Sequence, residues 1–294
     1  MWTEGIIAVD WGTTNRRAWR LGSTGEVQDE LEDHRGITSV EAGGFPAAIG
    51  ELRDRLGDLP LLMAGMIGSN RGWVETPYVS CPAGPQDLAS RLCRIDDQRA
   101  AIVPGLSYEG DGHADVMRGE EVQLFGAIAA GLVPSDALVC HPGTHNKWAR
   151  IEGGRVTAFR TVMTGEMFSL LQQRSILSDW LGEAVEAGPA FLAGVHRGLT
   201  GEAVTAELFS VRASILLGRL AREDAASFTS GLLIGADVRT GLREGEDGVV
   251  YVMGRPDLTA LYAAALQEAG RSSRQVDGEQ AFLAGITDIA RQLS

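Results

Sequence analysis

The chain contains short apolar runs and longer stretches in which apolar residues recur at helical spacing, with polar segments between them. The runs GIIAVDW (5–11), PLLMAGM (60–66) and VVYVM (249–253) are short and bounded by turn residues, so they predict buried strands. Apolar residues three and four positions apart predict helices, most clearly over 45–56 and 278–292. Strands interleaved with helices in this way are typical of an α/β fold.

The same patterns predict the remaining elements, and glycine-rich stretches predict loops. Further strands are expected at 17–21, 101–104 and 155–163, and in a hairpin over 137–151. Further helices are expected at 86–94, 119–132, 165–177, 188–198, 203–220, 222–242 and 257–269. Segment 105–117 contains three glycines and is predicted to be a loop.

Two similar polar turns, GTTNR (12–16) and GTHNK (143–147), stand about half a chain apart. Each follows a predicted strand, and their alignment pairs a glycine, a threonine and an asparagine at matching positions. Two unrelated hairpin turns are one interpretation. The shared position after the first strand of each half favours the other, a duplicated α/β domain with a cleft between its halves.

Composition and charge exclude several classes of protein. The 294 residues are 44% hydrophobic and carry a formal net charge of −13, which argues against a nucleic-acid binder because such a protein needs a basic face. No apolar run approaches the ~20 residues of a membrane span, and MWTEG at the start does not resemble a signal peptide. The three cysteines lack metal-ligand spacing and are predicted to be buried thiols in a reducing, cytoplasmic compartment.

The chemistry of the two turns indicates phosphate binding. Exposed backbone N–H groups and threonine hydroxyls form an anion cradle. Asp10 precedes the first turn and is a candidate ligand of Mg²⁺, while the second turn carries His145 and Lys147, the only lysine of the chain. Each turn alone is typical of an ordinary hairpin, and neither matches the known glycine-rich nucleotide motifs. Together they favour binding of nucleotide phosphates.

Six motifs carry a resemblance to a known family. They are IAVDWGTTNRRAW (7–19), MAGMIGSNRGW (63–73), VMRGEEVQLFGA (116–127), HPGTHNKW (141–148), FRTVMTGE (159–166) and SGLLIGA (230–236). On these motifs the chain resembles the 2-dehydro-3-deoxygalactonokinase family, sugar kinases of the fold shared by actin, the heat-shock ATPases and hexokinase. The resemblance runs essentially from end to end.

The resemblance implies an α/β fold of two actin-like, ribonuclease-H-like domains with ATP in the cleft between them. The expected domains are 1–117, on which the C-terminal helix 278–294 packs back, and the nucleotide-binding domain 118–277. The implied reaction is ATP-dependent phosphorylation of the terminal hydroxyl of 2-dehydro-3-deoxy-D-galactonate to the 6-phosphate in galactonate breakdown, with ATP and Mg²⁺ as expected cofactors.

Transfer of a phosphoryl group to an alcohol needs a base, and the acids of MRGEE are the candidates. We favour Glu121 over Glu120 as this base; the alternative is that acids in the first turn only stabilise the helix. Asp10 is the expected Mg²⁺-side carboxylate. Glu166, at another predicted helix start, is interpreted as a cap or first-turn acid.

Binding residues follow from the same motifs and, for Gly254, from the predicted turn MGRPDLT (253–259). Those expected at the nucleotide are Gly12, Thr13, Thr14, Gly143, Thr144, His145, Lys147, Gly235 and Gly254. Those expected at the sugar acid are Asn15, Arg17, Ser69, Asn70, Trp73 and Arg118. Arg16 and Arg71 are interpreted as surface charges. Helix packing is the alternative role for Gly235. Trp73 and Trp11 are candidates to form a wall of the sugar site, and core packing is the alternative role for both.

Rival functions remain open from the sequence. One is a phosphohydrolase of the same superfold, in which Glu121 would activate water. Others are a kinase for a different keto-deoxy sugar acid, since epimers differ at one hydroxyl, and a nucleotide-switched module without catalysis. The oligomeric state is open as well, with a homodimer formed through the long helices as one alternative.

Overall fold

A computed structural model of the protein describes residues 4–110, 112–242 and 248–293. The strands are β1 Ile6–Trp11, β2 Arg16–Leu21, β3 Val27–Asp33, β4 Leu61–Gly65, β5 Val79–Ser80, β6 Cys93–Ile95, β7 Ala100–Ile102, β8 Leu106–Gly110, β9 His113–Met117, β10 Ala137–His141, β11 Asn146–Glu152, β12 Arg155–Val162, β13 Val250–Gly254 and β14 Ser273–Asp277. The helices are α1 Phe45–Leu56, α2 Pro85–Ser90, α3 Glu120–Ala129, α4 Thr164–Arg174, α5 Pro189–Thr200, α6 Val204–Leu216, α7 Ala225–Gly241, α8 Pro256–Glu268 and α9 Gly278–Arg291.

Contacts divide the described chain into two compact units. One comprises the chain up to Asp136 together with Ile151–Ala158 and the part from Gly278 onward, and the other comprises Ala137–Arg150 and Phe159–Asp277. Helix α3 therefore groups with the first unit, because it packs on α9. The domain boundary expected at 117/118, and the expectation that ATP binds between two domains, stay predictions.

The first unit is built on a six-stranded sheet in the order β3-β2-β1-β4-β7-β6. Strand β1 is antiparallel to β2 and parallel to β4, which is in turn parallel to β7. Ile7, Val9 and Trp11 alternate along β1 and share a core with α1, which contributes apolar residues at helical spacing such as Ile49 and Leu52. Parallel strands buried in this way account for the continuous apolar run at β1.

The opposite face of this sheet is covered by the C-terminal helix. Phe282 of α9 lies against Trp19 of β2, with ring centroids 5.3 Å apart. Helices α3 and α9 approach so closely that a Cβ at Gly126 would stand 1.8 Å from the carbonyl oxygen of Ala281. Helix α9 therefore packs on β2 and α3 within the first unit.

A second sheet has five strands in the order β12-β11-β10-β13-β14, of which β10, β13 and β14 belong entirely to the second unit. Strand β13 is parallel to both β10 and β14. This order repeats that of β3-β2-β1-β4-β7 in the first unit. In each half, a hairpin comes first in the chain and lies next to strands that pair in parallel. The predicted fold class, α/β with two actin-like, ribonuclease-H-like domains, is confirmed, and the duplication inferred from the two turns is present in the strand order.

Helices of the second unit form two clusters. Helices α5, α7 and α8 pack with the sheet around Phe191, Tyr262 and Leu266. Segments of α6 and α7 pack with Leu177 and Leu181 in a second cluster that includes Val211. The prediction that the region 186–243 is almost wholly helical is confirmed over the described residues of that region.

Some sequence predictions are wrong. Segment 105–117 is not a loop over its described residues: β8 and β9 pair antiparallel and form a three-stranded sheet with β5, because the cross-strand partners Leu106 and Met117 are buried despite the surrounding glycines. The helix predicted over 86–94 is Pro85–Ser90, and its last residues belong to β6. Strands β3 and β14 were not predicted, because VQDELED and SRQVD carry many charged or polar residues.

Two further observations concern the cysteines and the helices. Cys140 is buried as predicted, whereas Cys81 and Cys93 are only half-buried. Across the described ranges, every helix is too short or too polar to cross a membrane.

Candidate functional site

The first predicted phosphate loop joins β1 to β2 as a tight turn. The Gly12 amide donates to the Asn15 carbonyl oxygen over 2.9 Å, which closes the turn. Thr13 and Thr14 are exposed. Asn15 is also exposed, and its Oδ1 lies 2.9 Å from Nδ1 of His34. The turn therefore exposes the hydroxyls of Thr13 and Thr14, which can donate hydrogen bonds to a phosphate group.

Residues 36–38 support this loop from beneath. The amides of Gly36 and Ile37 donate to the carbonyl oxygens of Thr14 and Gly12, each over 3.0 Å. The Thr38 hydroxyl donates to the Thr13 carbonyl over 2.8 Å. These bonds engage the carbonyl oxygens of the loop, so its conformation is fixed by the segment behind it.

Asp10 and Arg17 face each other across the β1–β2 pair. They are register partners, and the Arg17 guanidinium donates to Asp10 Oδ2 over 2.8 Å. Arg17 also lies 3.5 Å from Glu279, in the first turn of α9. The candidate metal carboxylate and the candidate substrate arginine thus form one ion-pair network, in which the Asp10 side chain is 24% exposed and the Arg17 side chain 29%.

The second predicted phosphate loop leads from β10 into β11. Thr144 and His145 are exposed, and His145 Nε2 lies 2.5 Å from Glu166 Oε2. Lys147 is buried, and its Nζ donates to the His145 carbonyl over 3.3 Å. Glu166 lies in the first turn of α4, as expected, and its side chain contacts the loop.

The start of α4 packs directly on this second loop. The Glu166 amide donates to the Thr144 carbonyl over 2.9 Å. A Cβ at Gly165 would stand 2.5 Å from the Gly143 carbonyl oxygen, so only glycine permits this approach. The helix therefore supports the second loop in the way that residues 36–38 support the first.

Glu120 and Glu121 open α3 after the turn at Gly119. Both carboxylate oxygens of Glu121 accept the Gly119 amide, at 2.9 and 2.7 Å, and the side chain is fully buried. Burial raises the pKa of Glu121 to about 8, and the neighbouring Glu120 carboxylate adds to the rise. A carboxyl group with a pKa near neutral pH suits a general base. Glu120 is half-buried and accepts the Arg118 amide over 3.1 Å.

This turn lies beside the end of β4. Gly119 has a φ of 108°, which favours glycine, and a Cβ there would stand 3.2 Å from Cα of Gly65. A Cβ at Gly65 would in turn stand 3.4 Å from Asp10 Oδ1. The first unit therefore brings Asp10 and the Glu120–Glu121 turn to the same region.

The Arg118 side chain is held by two residues that the sequence analysis did not select. Its guanidinium donates to the hydroxyl and to the carbonyl of Thr76, the latter over 2.8 Å, and lies 4.4 Å from the ring centroid of Tyr78. Neither partner belongs to the recognised motifs, so no local signal indicated them.

The candidate substrate residues after β4 differ in exposure. Asn70 is exposed, whereas Ser69 is buried and its hydroxyl donates to the Met66 carbonyl over 2.8 Å. Trp73 is half-buried and stacks on Phe45 at 6.2 Å, so part of its ring belongs to the core.

Two neighbouring residues of interest, Trp11 and Arg16, lie in the interior. Trp11 is fully buried, which places it in the core. The surface role inferred for Arg16 is wrong: it is 2% exposed, pairs with Asp33 at 2.6 Å and lies over Trp11. Arg71 is exposed, in agreement with the prediction.

The two glycines expected at adenine have different surroundings. A Cβ at Gly235 would stand 2.3 Å from the Val195 carbonyl oxygen, so this glycine allows α7 to pack on α5. Gly254 is the last residue of β13 and has a φ of 150°, and a Cβ there would stand 3.4 Å from the carbonyl oxygen of Pro142. Gly254 therefore lies next to the second loop. Contact of either residue with adenine stays a prediction.

Comparison with known proteins gives a consistent result. A model of the family described as 2-keto-3-deoxy-galactonokinase matches residues 10–289. The 2-dehydro-3-deoxygalactonokinase of Escherichia coli (strain K12) is 40% identical over 296 residues, which cover 99% of each chain. A crystal structure from Sinorhizobium meliloti, provisionally assigned the same activity, is 39% identical in sequence and has a TM-score of 0.92. The match covers 98% of this chain and 99% of that one. Component A of the Acidaminococcus fermentans (R)-2-hydroxyglutaryl-CoA dehydratase, at 13% identity and a TM-score of 0.53 over 99% of both chains, shares the fold.

Proposed function

The chain belongs to the 2-keto-3-deoxy-galactonokinase family, and from this premise we propose how its residues perform the reaction. The enzyme is a carbohydrate kinase that transfers a phosphoryl group from ATP to the keto-deoxy sugar acid. The observation that carries the proposed residue roles is the convergence of Asp10, Gly65 and the Glu120–Glu121 turn at one end of the first sheet.

In the proposed mechanism the terminal hydroxyl oxygen of the sugar acid attacks the γ-phosphorus of ATP. The bond from that phosphorus to the bridging oxygen breaks, ADP leaves, and the hydroxyl proton passes to a carboxylate. Glu121 is the proposed acceptor of this proton, because its pKa of about 8 matches the requirement for a base near neutral pH. Glu120, the half-buried neighbour, is the alternative acceptor.

The two loops are the proposed donors to the phosphates of ATP. The exposed hydroxyls of Thr13 and Thr14 and that of Thr144 supply donors, and Lys147 supplies the positive charge of the second loop. The supporting segments described above fix both loops before the ligand arrives, which lowers the entropic cost of binding.

Mg²⁺ fits the residues around Asp10. Magnesium in kinases is held by one or two carboxylates together with phosphates and water, and Asp10 supplies one carboxylate with an oxygen directed toward Gly65. When bound, the ion would neutralise charge on the phosphates. Asp10 would hold it through a carboxylate whose other oxygen, Oδ2, accepts the Arg17 guanidinium.

The sugar acid carries a carboxylate, for which arginine is the natural partner. Arg17 is the proposed partner, with Arg118, Asn70 and Ser69 as further contacts and Trp73 as a wall. The galactonate-derived epimer and the 6-phosphate product belong to the proposal. A cytoplasmic location belongs to it as well, because the enzyme consumes ATP.

A coupled assay of ADP formation with separate keto-deoxy sugar acids tests this function. We expect turnover that depends on the acid and is highest with the galactonate-derived epimer. Phosphate release is measured in parallel without any sugar acid. Rapid release that is independent of the acid would contradict the kinase and favour the phosphohydrolase.

A further inference from the structure

Asp237 is a buried carboxylate in the middle of the second unit. It lies on α7 and is 1% exposed. Its two oxygens accept four donors: Asn146 Nδ2 at 3.0 and 2.9 Å, Trp148 Nε1 at 2.7 Å, and the hydroxyls of Thr164 and Tyr262, each at 2.5 Å. These donors come from β11, α4 and α8, so a single side chain joins three elements.

One of these donors belongs to the second phosphate loop, residues 143–147, and another begins the helix that supports the loop. Asn146 stands at its end, immediately before Lys147, and Thr164 is the first residue of α4. The next two residues of that helix are the ones that pack on the loop, through the close approach of Gly165 and the amide of Glu166. Asp237 therefore ties the end of the loop to the helix start that supports it.

We propose that Asp237 is a positioning residue for ATP, acting through Asn146 and Thr164 on loop 143–147. This inference rests on the proposed function of that loop. Stability alone does not account for a buried charge, because apolar residues of similar volume often make a protein equally or more stable. Four donors fixed on one carboxylate give instead a defined geometry, which a phosphate cradle requires.

The charge of Asp237 matters as well as its shape. A carboxylate offers acceptors on both oxygens, whereas an amide offers one acceptor and directs an N–H group at donors. Asp237→Asn should therefore separate Asn146 from Thr164 while it leaves the volume of the side chain almost unchanged. Desolvation raises the pKa of Asp237, and its four hydrogen bonds oppose this rise.

The test compares three variants by calorimetric titration with ATP, steady-state kinetics and thermal unfolding. Asp237→Asn and Thr164→Val should each weaken ATP binding by ~10-fold or more while the KM for the sugar acid at saturating ATP changes little. Thr164→Ser keeps the hydroxyl and should restore ATP binding. Tyr262→Phe is the matched control: it removes a donor from the same carboxylate on the side of α8, so it should lower the Tm without weakening ATP binding.

The outcomes separate this inference from the function on which it rests. If the unmodified protein does not bind ATP, the proposed function fails. If it binds ATP and Asp237→Asn and Thr164→Val bind it equally well, the positioning role is refuted and Asp237 serves stability alone. Should Asp237→Asn fail to fold, the Thr164→Val and Thr164→Ser pair still decides the question.

Discussion

Gly36 lies directly against Thr13: a Cβ at Gly36 would stand 2.3 Å from the Thr13 carbonyl oxygen and 2.4 Å from the Thr14 nitrogen. The φ of Gly36 is −64°, so the position requires space and not an unusual backbone angle. Gly165 has the same relation to Gly143 in the second unit. Each proposed phosphate loop is thus supported by a glycine in direct contact with its backbone.

Replacing Gly36 by alanine should displace the first loop. Because the new methyl group would meet backbone atoms, the loop must shift, and we expect Gly36→Ala to raise the KM for ATP by ~10-fold or more. Gly50→Ala is the control, because nothing lies within 4 Å of a Cβ at this position in helix α1. The KM for ATP should be unchanged, and the free energy of unfolding should rise by ~0.5–1 kcal/mol because alanine is more favourable than glycine inside a helix. An unaltered KM for ATP in Gly36→Ala would show that the loop does not bind phosphate.

Much of this support could not be read from the sequence. The turns at 12–16 and 143–147 were recognisable because their residues are adjacent in the chain. Gly36 and Gly165 were not selected, since their role depends on which backbone lies opposite. Asp237 did give a signal, an acid inside the apolar run SGLLIGAD, but its partners come from distant elements and only the fold brings them together.

The wrong prediction for Arg16 has a related cause. Its partner Asp33 is its register neighbour on β3, an edge strand whose charged sequence was not recognised. Without that strand, nothing in the sequence indicated a partner that would hold Arg16 in the interior. Local patterns predicted the buried parallel strands and the long helices well, and they failed where backbone pairing holds a polar strand.

The role of Glu121 can be separated from that of Glu120 by substitution. Glu121→Gln keeps an acceptor for the Gly119 amide but cannot take a proton, so turnover should fall by ~10²–10⁴-fold with little change in ATP affinity. In the unmodified enzyme, kcat/KM should rise with pH toward about 8, because only the ionised carboxylate is a base. Glu120→Gln is the matched variant; a large loss there, with near-normal Glu121→Gln, would transfer the role to Glu120.

The buried Glu121 also predicts how stability depends on pH. Its folded pKa of about 8 lies above the ordinary value of 4.5, so its contribution to stability is fully present below about pH 4.5 and is lost as pH rises through 8. Glu121→Gln has no such loss. Relative to the unmodified protein, its free energy of unfolding should increase between these pH values, by about 5 kcal/mol at most, and then level off. Urea unfolding at several pH values measures this, and a constant difference would contradict burial of an ionisable group.

Arg17 is assigned to the carboxylate of the sugar acid. Arg17→Ala should therefore raise the KM for the acid far more than the KM for ATP, because the charge-assisted pair is lost. Arg71→Ala, at an exposed arginine near the same motifs, should change neither. Since Arg17 also contacts Asp10, an equal rise in both KM values would show that Arg17 acts through Asp10 and would refute its assignment to the substrate.

Asp10 is assigned to Mg²⁺, and its substitution separates metal binding from simple structural support. Asp10→Asn keeps the size of the side chain but removes its charge, so half-maximal activity should require ~10-fold more Mg²⁺ or higher, and excess Mg²⁺ should restore part of the turnover. Asp29→Asn is a suitable control, because Asp29 pairs with Arg55 at 2.6 Å on the exposed edge strand of the same sheet, and its loss should leave the Mg²⁺ dependence unchanged. If Asp10→Asn instead lowers turnover equally at every Mg²⁺ concentration, the carboxylate only orients Arg17. In that case the ion must be held by phosphates and water without a direct or water-mediated contact to Asp10.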